Sequence, residues 1–180
     1  SVSAAGLLTA QTTASVLGYV RATIGMVSRD SAVYIIPAAL DHIDMSPVSL
    51  QATAGKQYSF TATGRDMYNN SIPGLTFNWT TTIGTVSSAG LFTAQTTSDA
   101  TGYVNATIGA VTGPSPVSVI PDQLDLIRVS PSSVSVTANT TQAFSASGYD
   151  QYNNTIPGLS FNWTTSVGSV AGSTLTAQTL

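Results

Sequence analysis

Residues 57–63 set apolar Tyr58, Phe60 and Ala62 against polar neighbours, the period of two that turns one face of a strand to a core and the other to water. Short runs of this kind recur along the chain, separated by turn formers. Across residues 40–123 they predict about seven strands: extended runs over 43–54, then 57–63, 76–81, 90–94, 103–111 and 116–120 before Pro121. A loop rich in turn formers, Asp66-Met67-Tyr68-Asn69-Asn70-Ser71-Ile72-Pro73-Gly74, interrupts them. Strands this short at this spacing predict a two-sheet sandwich.

One strand carries an unusual pattern. In Phe77-Asn78-Trp79-Thr80 an amide sits between two large aromatics, and Phe161-Asn162-Trp163-Thr164 repeats it. In an extended strand Phe77 and Trp79 point to the core and Asn78 to solvent, and likewise Phe161 and Trp163 against Asn162. A slip of one residue would bury the amide and expose both rings. The four aromatics are read as core anchors.

The chain repeats with an offset of 84 residues (Leu40 to Leu124). Gly64, Asp66, Tyr68, Asn69, Asn70, Ile72, Pro73 and Gly74 return as Gly148, Asp150, Tyr152, Asn153, Asn154, Ile156, Pro157 and Gly158. Gly18, Tyr19, Val20, Ala22 and Thr23 match Gly102, Tyr103, Val104, Ala106 and Thr107. The chain is therefore out of phase with its own period. Residues 1–39 read as the back part of one unit, 40–123 as a complete unit, and 124–180 as the front part of the next. The ends overlap: residues 1–12 correspond to the stretch closing with Leu175-Thr176-Ala177-Gln178-Thr179, one residue being lost near Gly172.

Composition narrows the class. Hydrophobic residues make up 42% and charged residues only 7%, against roughly 25% in an ordinary soluble domain. All eight acidic residues are Asp. A chain without Glu, poor in Lys and rich in Val, Ile, Thr and Ser is starved of helix-surface residues, so it is all-β. Net charge is −3 and the five cations, Arg21, Arg29, Lys56, Arg65 and Arg128, form no stripe, which excludes a nucleic-acid partner. The longest apolar run, near residues 32–40, is broken by Pro37, so no membrane span is expected here. Ser1 opens no signal peptide, and the chain is expected to be either processed or part of something longer.

The stretch from Ile127 to Val170, "IRVSPSSVSVTANTTQAFSASGYDQYNNTIPGLSFNWTTSVGSV", with Gly90-Leu91-Phe92-Thr93-Ala94 and Gly102-Tyr103-Val104-Asn105-Ala106-Thr107, resembles the bacterial immunoglobulin-like (Big) domain. The resemblance covers the middle unit and both partial ones. It implies tandem disulfide-free immunoglobulin-like sandwiches of the sort found in surface proteins and adhesins, and it brings no catalytic residues. Asp99, Tyr103 and Asn105 are spaced like the acid, tyrosine-corner and cysteine positions of true immunoglobulin domains. Alternation instead puts Val104, Ala106 and Ile108 inside and Asn105 outside, and the outward placement is the one favoured.

Six of the eight asparagines open an Asn-x-Ser/Thr acceptor for N-linked sugar: Asn69, Asn78, Asn105, Asn139, Asn153 and Asn162. At this Ser/Thr content chance would give about two or three. Asn78 and Asn162 are expected outside, and Asn69, Asn139 and Asn153 in turns, so N-linked glycans are expected here and no other cofactor. Sugar would also keep so uncharged a surface in solution.

Other chemistry is thin. Asp66 and Asp150 with their neighbouring asparagines invite calcium, but each turn offers one carboxylate where calcium takes six to eight oxygens; a turn held by side-chain-to-backbone hydrogen bonds is the stronger reading. His42 is the only histidine and Leu126 replaces it one repeat later. No Ser/His/Asp set recurs, so no enzyme is expected. Tyr34, Tyr68, Tyr103 and Tyr152 offer a sugar platform as the alternative to packing at strand edges.

A half sandwich exposes core surface and unpaired edges. Either the chain is a window on a long array, or one copy's tail is completed by another's head through strand complementation. Both give an extended string of units. The expectation is a structural piece of an extracellular filament, stalk or surface layer whose partners are other copies, head to tail. Sequons without cysteine favour a prokaryotic, first of all archaeal, cell surface. The alternative is an adhesin whose repeats bind a surface carbohydrate.

Overall fold

The computed structural model describes residues 1–178, and every regular element among them is a strand. The last two residues of the terminal sequence overlap lie outside the described residues.

The chain divides into two compact units. The first gathers Ser1–Leu50, Ser59–Phe92 and Gly102–Val117; the second holds Gln51–Tyr58, Thr93–Thr101 and the chain from Ser118 onward. This division does not follow the sequence period, since both units take strands from residues 40–123.

In the first unit, Val16–Ile24 and Val27–Ile35 form a hairpin paired from Val16 with Ile35 to Ile24 with Val27. Leu40–Ser46 pairs antiparallel with Thr61–Asp66, and Asn78–Thr81 with Thr101–Ile108, where Trp79 stands opposite Ala106 and Asn78 opposite Thr107. The core of this unit is Ile43, Met45, Phe60, Ile83, Phe92, Val104, Ala106 and Val117, all buried. Phe60 and Phe92 meet edge to face with centroids 5.9 Å apart, the arrangement that ring quadrupoles favour. In the second unit, Leu124–Ser130, Ser145–Asp150 and Thr155–Ile156 form one three-stranded sheet, and Thr141–Ala143, Thr174–Thr176 and Ser169–Ala171 another. Ala52, Ala54, Ala94 and Val119 are buried there.

Strand order identifies the architecture. One sheet runs Leu50–Thr53, Val111–Ile120, Thr101–Ile108, Asn78–Thr81. The opposing set pairs Leu40–Ser46 with Thr61–Asp66, and Gln57–Ser59 with Leu91–Thr93 and Thr85–Val86. In chain order these are the A′GFC and ABED sheets of an immunoglobulin-like sandwich. Burial alternates as the pleat requires: in Val111–Ile120, Gly113, Ser115, Val117 and Val119 are buried while Pro114 and Pro116 face out.

Three expectations need correction. The run 57–63 is two strands, Gln57–Ser59 and Thr61–Asp66, because the N–H of Phe60 leaves its own ladder for the carbonyl of Gly90 (2.8 Å). The strand expected over 103–111 ends at Ile108, since Gly109 takes the left-handed conformation (φ 56°) and turns the chain; the last strand then starts at Val111, not at 116. Finally, Phe161–Asn162–Trp163 is not a strand. Its counterpart Asn78–Thr81 is held by Thr101–Ile108, and no strand among the described residues pairs with residues 161–163 in that way.

Candidate functional site

Asp66 and Asp150 close the strands Thr61–Asp66 and Ser145–Asp150, and both are buried (0% and 2% exposed). A buried carboxylate is tolerated only when hydrogen-bond donors replace its water. At Asp66, Oδ1 accepts the backbone N–H of Tyr68 (3.0 Å) and Asn70 (2.8 Å), which folds the loop into an Asx-type turn. Its Oδ2 accepts the N–H of Ala38 (2.8 Å), 28 residues earlier. The Asn70 side-chain amide donates to both carboxylate oxygens (3.1 and 2.9 Å) and to the carbonyl of Thr12 (2.7 Å). Its Oδ1 accepts the N–H of Ala14 (2.9 Å).

One repeat later the arrangement recurs. Asp150 Oδ1 accepts Tyr152 (2.9 Å) and Asn154 (2.8 Å), and Oδ2 accepts Asp122 (2.8 Å). Asn154 donates to Asp150 (2.8 Å) and to the carbonyl of Thr96 (2.7 Å), and accepts the N–H of Ser98 (2.9 Å). Each partner is displaced by the sequence offset: Thr12 to Thr96, Ala14 to Ser98, Ala38 to Asp122. In the sequence frame, the loop of one repeat holds the segments that flank the closing hairpin of the repeat before it. The site is a joint.

Its chemistry is electrostatic accommodation of one negative charge by N–H dipoles. Burial pushes the Asp66 carboxyl upward, but the Asn70 side chain and the N–H groups of Ala38, Asn70 and Tyr68 outweigh it, and the group is lowered to about 2. Asp150 is shifted in the same direction: burial raises it, while Asn154, Asp122 and Tyr152 lower it by more. Each hydrogen bond given for these oxygens comes from an N–H group, the side-chain-to-backbone turn expected at Asp66 and Asp150.

The second joint has extra contacts. Lys56 Nζ lies 3.0 Å from Asp122 Oδ2, and Gln151 Nε2 donates to the same oxygen at 2.8 Å. Tyr152 packs over Gly55, where a Cβ would stand 2.2 Å from the phenol oxygen. Gly55 also has φ of 72°, so the close approach and the backbone both call for glycine.

Of the sequon asparagines, Asn69, Asn78, Asn139, Asn153 and Asn162 are exposed and Asn105 is half-buried, beside fully buried Val104 and Ala106. Asn69, Asn139 and Asn153 have positive φ (65°, 64° and 67°), the turn conformation asparagine tolerates best. Asn153 Oδ1 accepts a hydrogen bond from Arg128 (2.7 Å). Phe77, Trp79, Phe161 and Trp163 are half-buried. Trp163 lies beside Phe144, ring centroids 6.4 Å apart. His42 sits between Asp41 (3.0 Å) and Asp44 (3.9 Å) on an exposed strand face. Tyr34, Tyr68, Tyr103 and Tyr152 are all exposed, and Tyr152 serves the second joint.

No family model and no curated protein matches the chain. It is similar to solved structures: the Escherichia coli adhesin FdeC (21% identity, 72% of this chain, 48% of that one, TM-score 0.49) and Yersinia pseudotuberculosis InvD (20%, 87%, 57%, 0.43). The S-layer protein rSbsC(31-844) is a third (17%, 78%, 20%, 0.42). The chain thus spans under two thirds of the length of each. The sandwich assignment rests on the strand order above.

Proposed function

We propose that this chain is a segment of an extended extracellular rod, a filament, stalk or surface-layer component made of immunoglobulin-like units of the Big type. The observation that carries the reading is the recurrence of the buried carboxylate joint, with the same backbone partners, one period apart. A flexible linker needs no such device, whereas a joint that withdraws a charge from water and fills its oxygens with donors from two repeats resists bending. The unit carries no constellation suited to catalysis, and its low charge suits a surface coated with sugar. We assign N-linked glycans to the exposed sequons and a prokaryotic, N-glycosylating cell surface as the location, archaeal in the first instance.

The test uses the absence of cysteine from the sequence. Spin labels placed by Thr23→Cys and Thr76→Cys report the distance between successive repeats. A narrow distance distribution that broadens on Asn70→Ala supports the rod; a broad distribution in the parent background overturns it. Immunolabelling of intact cells of the source tests the location.

A further inference from the structure

Two of the Asn-x-Thr motifs meet across one pair of strands. Asn78–Thr81 runs antiparallel to Thr101–Ile108 so that Asn78 stands opposite Thr107 and Thr80 opposite Asn105. Each acceptor asparagine thus faces the threonine that completes the other's motif. We propose that Asn78 carries the glycan of this pair, that Asn105 stays bare, and that the sheet face beside Asn78 is a seat on which its first sugars lie. The proposal rests on the glycan reading above and adds where the sugar goes.

The choice between the two asparagines follows from their places in the sheet. Asn78 and Thr80 are exposed, on the strand that ends the order Leu50–Thr53, Val111–Ile120, Thr101–Ile108, Asn78–Thr81. Asn105 and Thr107 are half-buried on an inner strand with a neighbour on each side. The Thr107 hydroxyl is also hydrogen-bonded to the hydroxyl of Thr112 on the far neighbour (3.3 Å). A sugar rooted at Asn78 has open space, whereas one rooted at Asn105 has to push neighbouring side chains aside.

The face beside Asn78 has the chemistry of a sugar seat. Side chains two apart on a strand share a face, so Tyr103, Asn105 and Thr107 form a row while Val104 and Ala106 are buried behind them. Thr112, Pro114 and Pro116 continue that face on the next strand, alternating with buried Gly113, Ser115 and Val117. Directly opposed side chains in such a pair lie about 5 Å apart and diagonal ones about 7–8 Å. A sugar on the Asn78 amide therefore reaches the Thr107 hydroxyl and the Asn105 amide. Beyond these, Tyr103, 49% exposed, and the two prolines offer apolar surface to the C–H face of a sugar.

Charge singles this face out. The strands Asn78–Thr81, Thr101–Ile108 and Val111–Ile120 contain no charged residue. One period earlier, the hairpin Val16–Ile24/Val27–Ile35 has Arg21 and Asp30 at the places of Asn105 and Pro114, and the two are ion-paired at 2.6 Å. A neutral sugar is held by amides, hydroxyls and apolar surface, and it gains nothing from displacing the water around an ion pair. The exchange of that pair for an amide and a proline fits the face to a neutral saccharide.

The experiment uses the protein isolated from its native cell. No lysine or arginine lies between Arg65 and Arg128, so trypsin releases residues 66–128 as one peptide bearing Asn69, Asn78 and Asn105. Fragmentation of this peptide is expected to place a glycan on Asn78 and none on Asn105. Hydroxyl-radical labelling of the folded protein then reads the seat. Tyr103 is expected to label several-fold faster in Asn78→Gln, and as fast in Thr80→Ala, which removes the acceptor motif without touching Asn78. Tyr34, 58% exposed, is the control that should not change. Asn105→Ala keeps the glycan and should raise Tyr103 labelling part of the way. A glycan on Asn105 overturns the proposal, as does a bare Asn78 beside modified sequons elsewhere, or Tyr103 labelling that ignores the loss of the Asn78 glycan. All three leave the glycan reading standing. Bare asparagines at every sequon overturn that reading and the seat with it.

Discussion

Asn70 and Thr12 are tied by a 2.7 Å hydrogen bond across 58 residues of sequence, and Asn154 holds Thr96 at the same distance. Among the described residues Asn70 is also the only side chain that donates to Asp66. Replacing it by alanine strips donors from a buried carboxylate and frees the segment around Ala14. Asn70→Ala is expected to destabilise the chain by about 2 kcal/mol. The urea midpoint measures the loss, and hydrogen exchange should locate it at the amides of Ala14 and Ala38.

Acid should open the same joint. The Asp66 carboxyl is at about 2 in the folded chain and near its ordinary value of about 4 when unfolded. As pH falls the unfolded chain takes up the proton first, so the stabilisation is complete above about pH 4 and is lost progressively toward pH 2. Asp150 shifts in the same direction and adds to the effect. Asp66→Asn should be weaker at neutral pH yet lose less on acidification; urea midpoints taken at several pH values check both.

Equivalent residues should respond unequally. Phe60 is buried and Phe144, one repeat on, is half-exposed beside an open cleft. Phe60→Ala is expected to cost about 3–5 kcal/mol and Phe144→Ala, in the monomeric chain, about 1. Equal losses in calorimetry or urea unfolding would mean that the two halves are packed alike.

On one strand Asn78 is exposed and Trp79 half-buried, so the two should respond differently to substitution. Asn78→Gln should remove one glycan from the protein isolated from its native cell, read as a single step in intact mass, and change stability by less than about 0.5 kcal/mol. Trp79→Ala should leave the glycan and cost several-fold more. An unmodified mass for the native protein would end the glycan assignment at every sequon.

Period and polarity revealed most of this fold before any coordinates. Alternation at 57–63 and the first copy of Phe-Asn-Trp-Thr announced strands, and the offset announced that the turn at Asp66 recurs at Asp150. What stayed hidden depends on distant partners. Asp66 was legible as a turn residue because Tyr68 and Asn70 are its neighbours, but Ala38 and Thr12 are not. Their only trace was that Asp66, Asn70 and Thr12 all recur together, as Asp150, Asn154 and Thr96. The strand expected at Phe161 did not form: local alternation alone does not make a strand, and no strand among the described residues pairs with it as Thr101–Ile108 pairs with Asn78–Thr81.

The joint contains no ion pair at Asp66: backbone and amide N–H groups alone neutralise it, and among the described residues no cation pairs with Asp66 or Asp150. Mobile ions weaken attractions between exposed charges but barely reach a buried charge held by fixed dipoles. A connection built this way keeps its grip in dilute water and in brine alike.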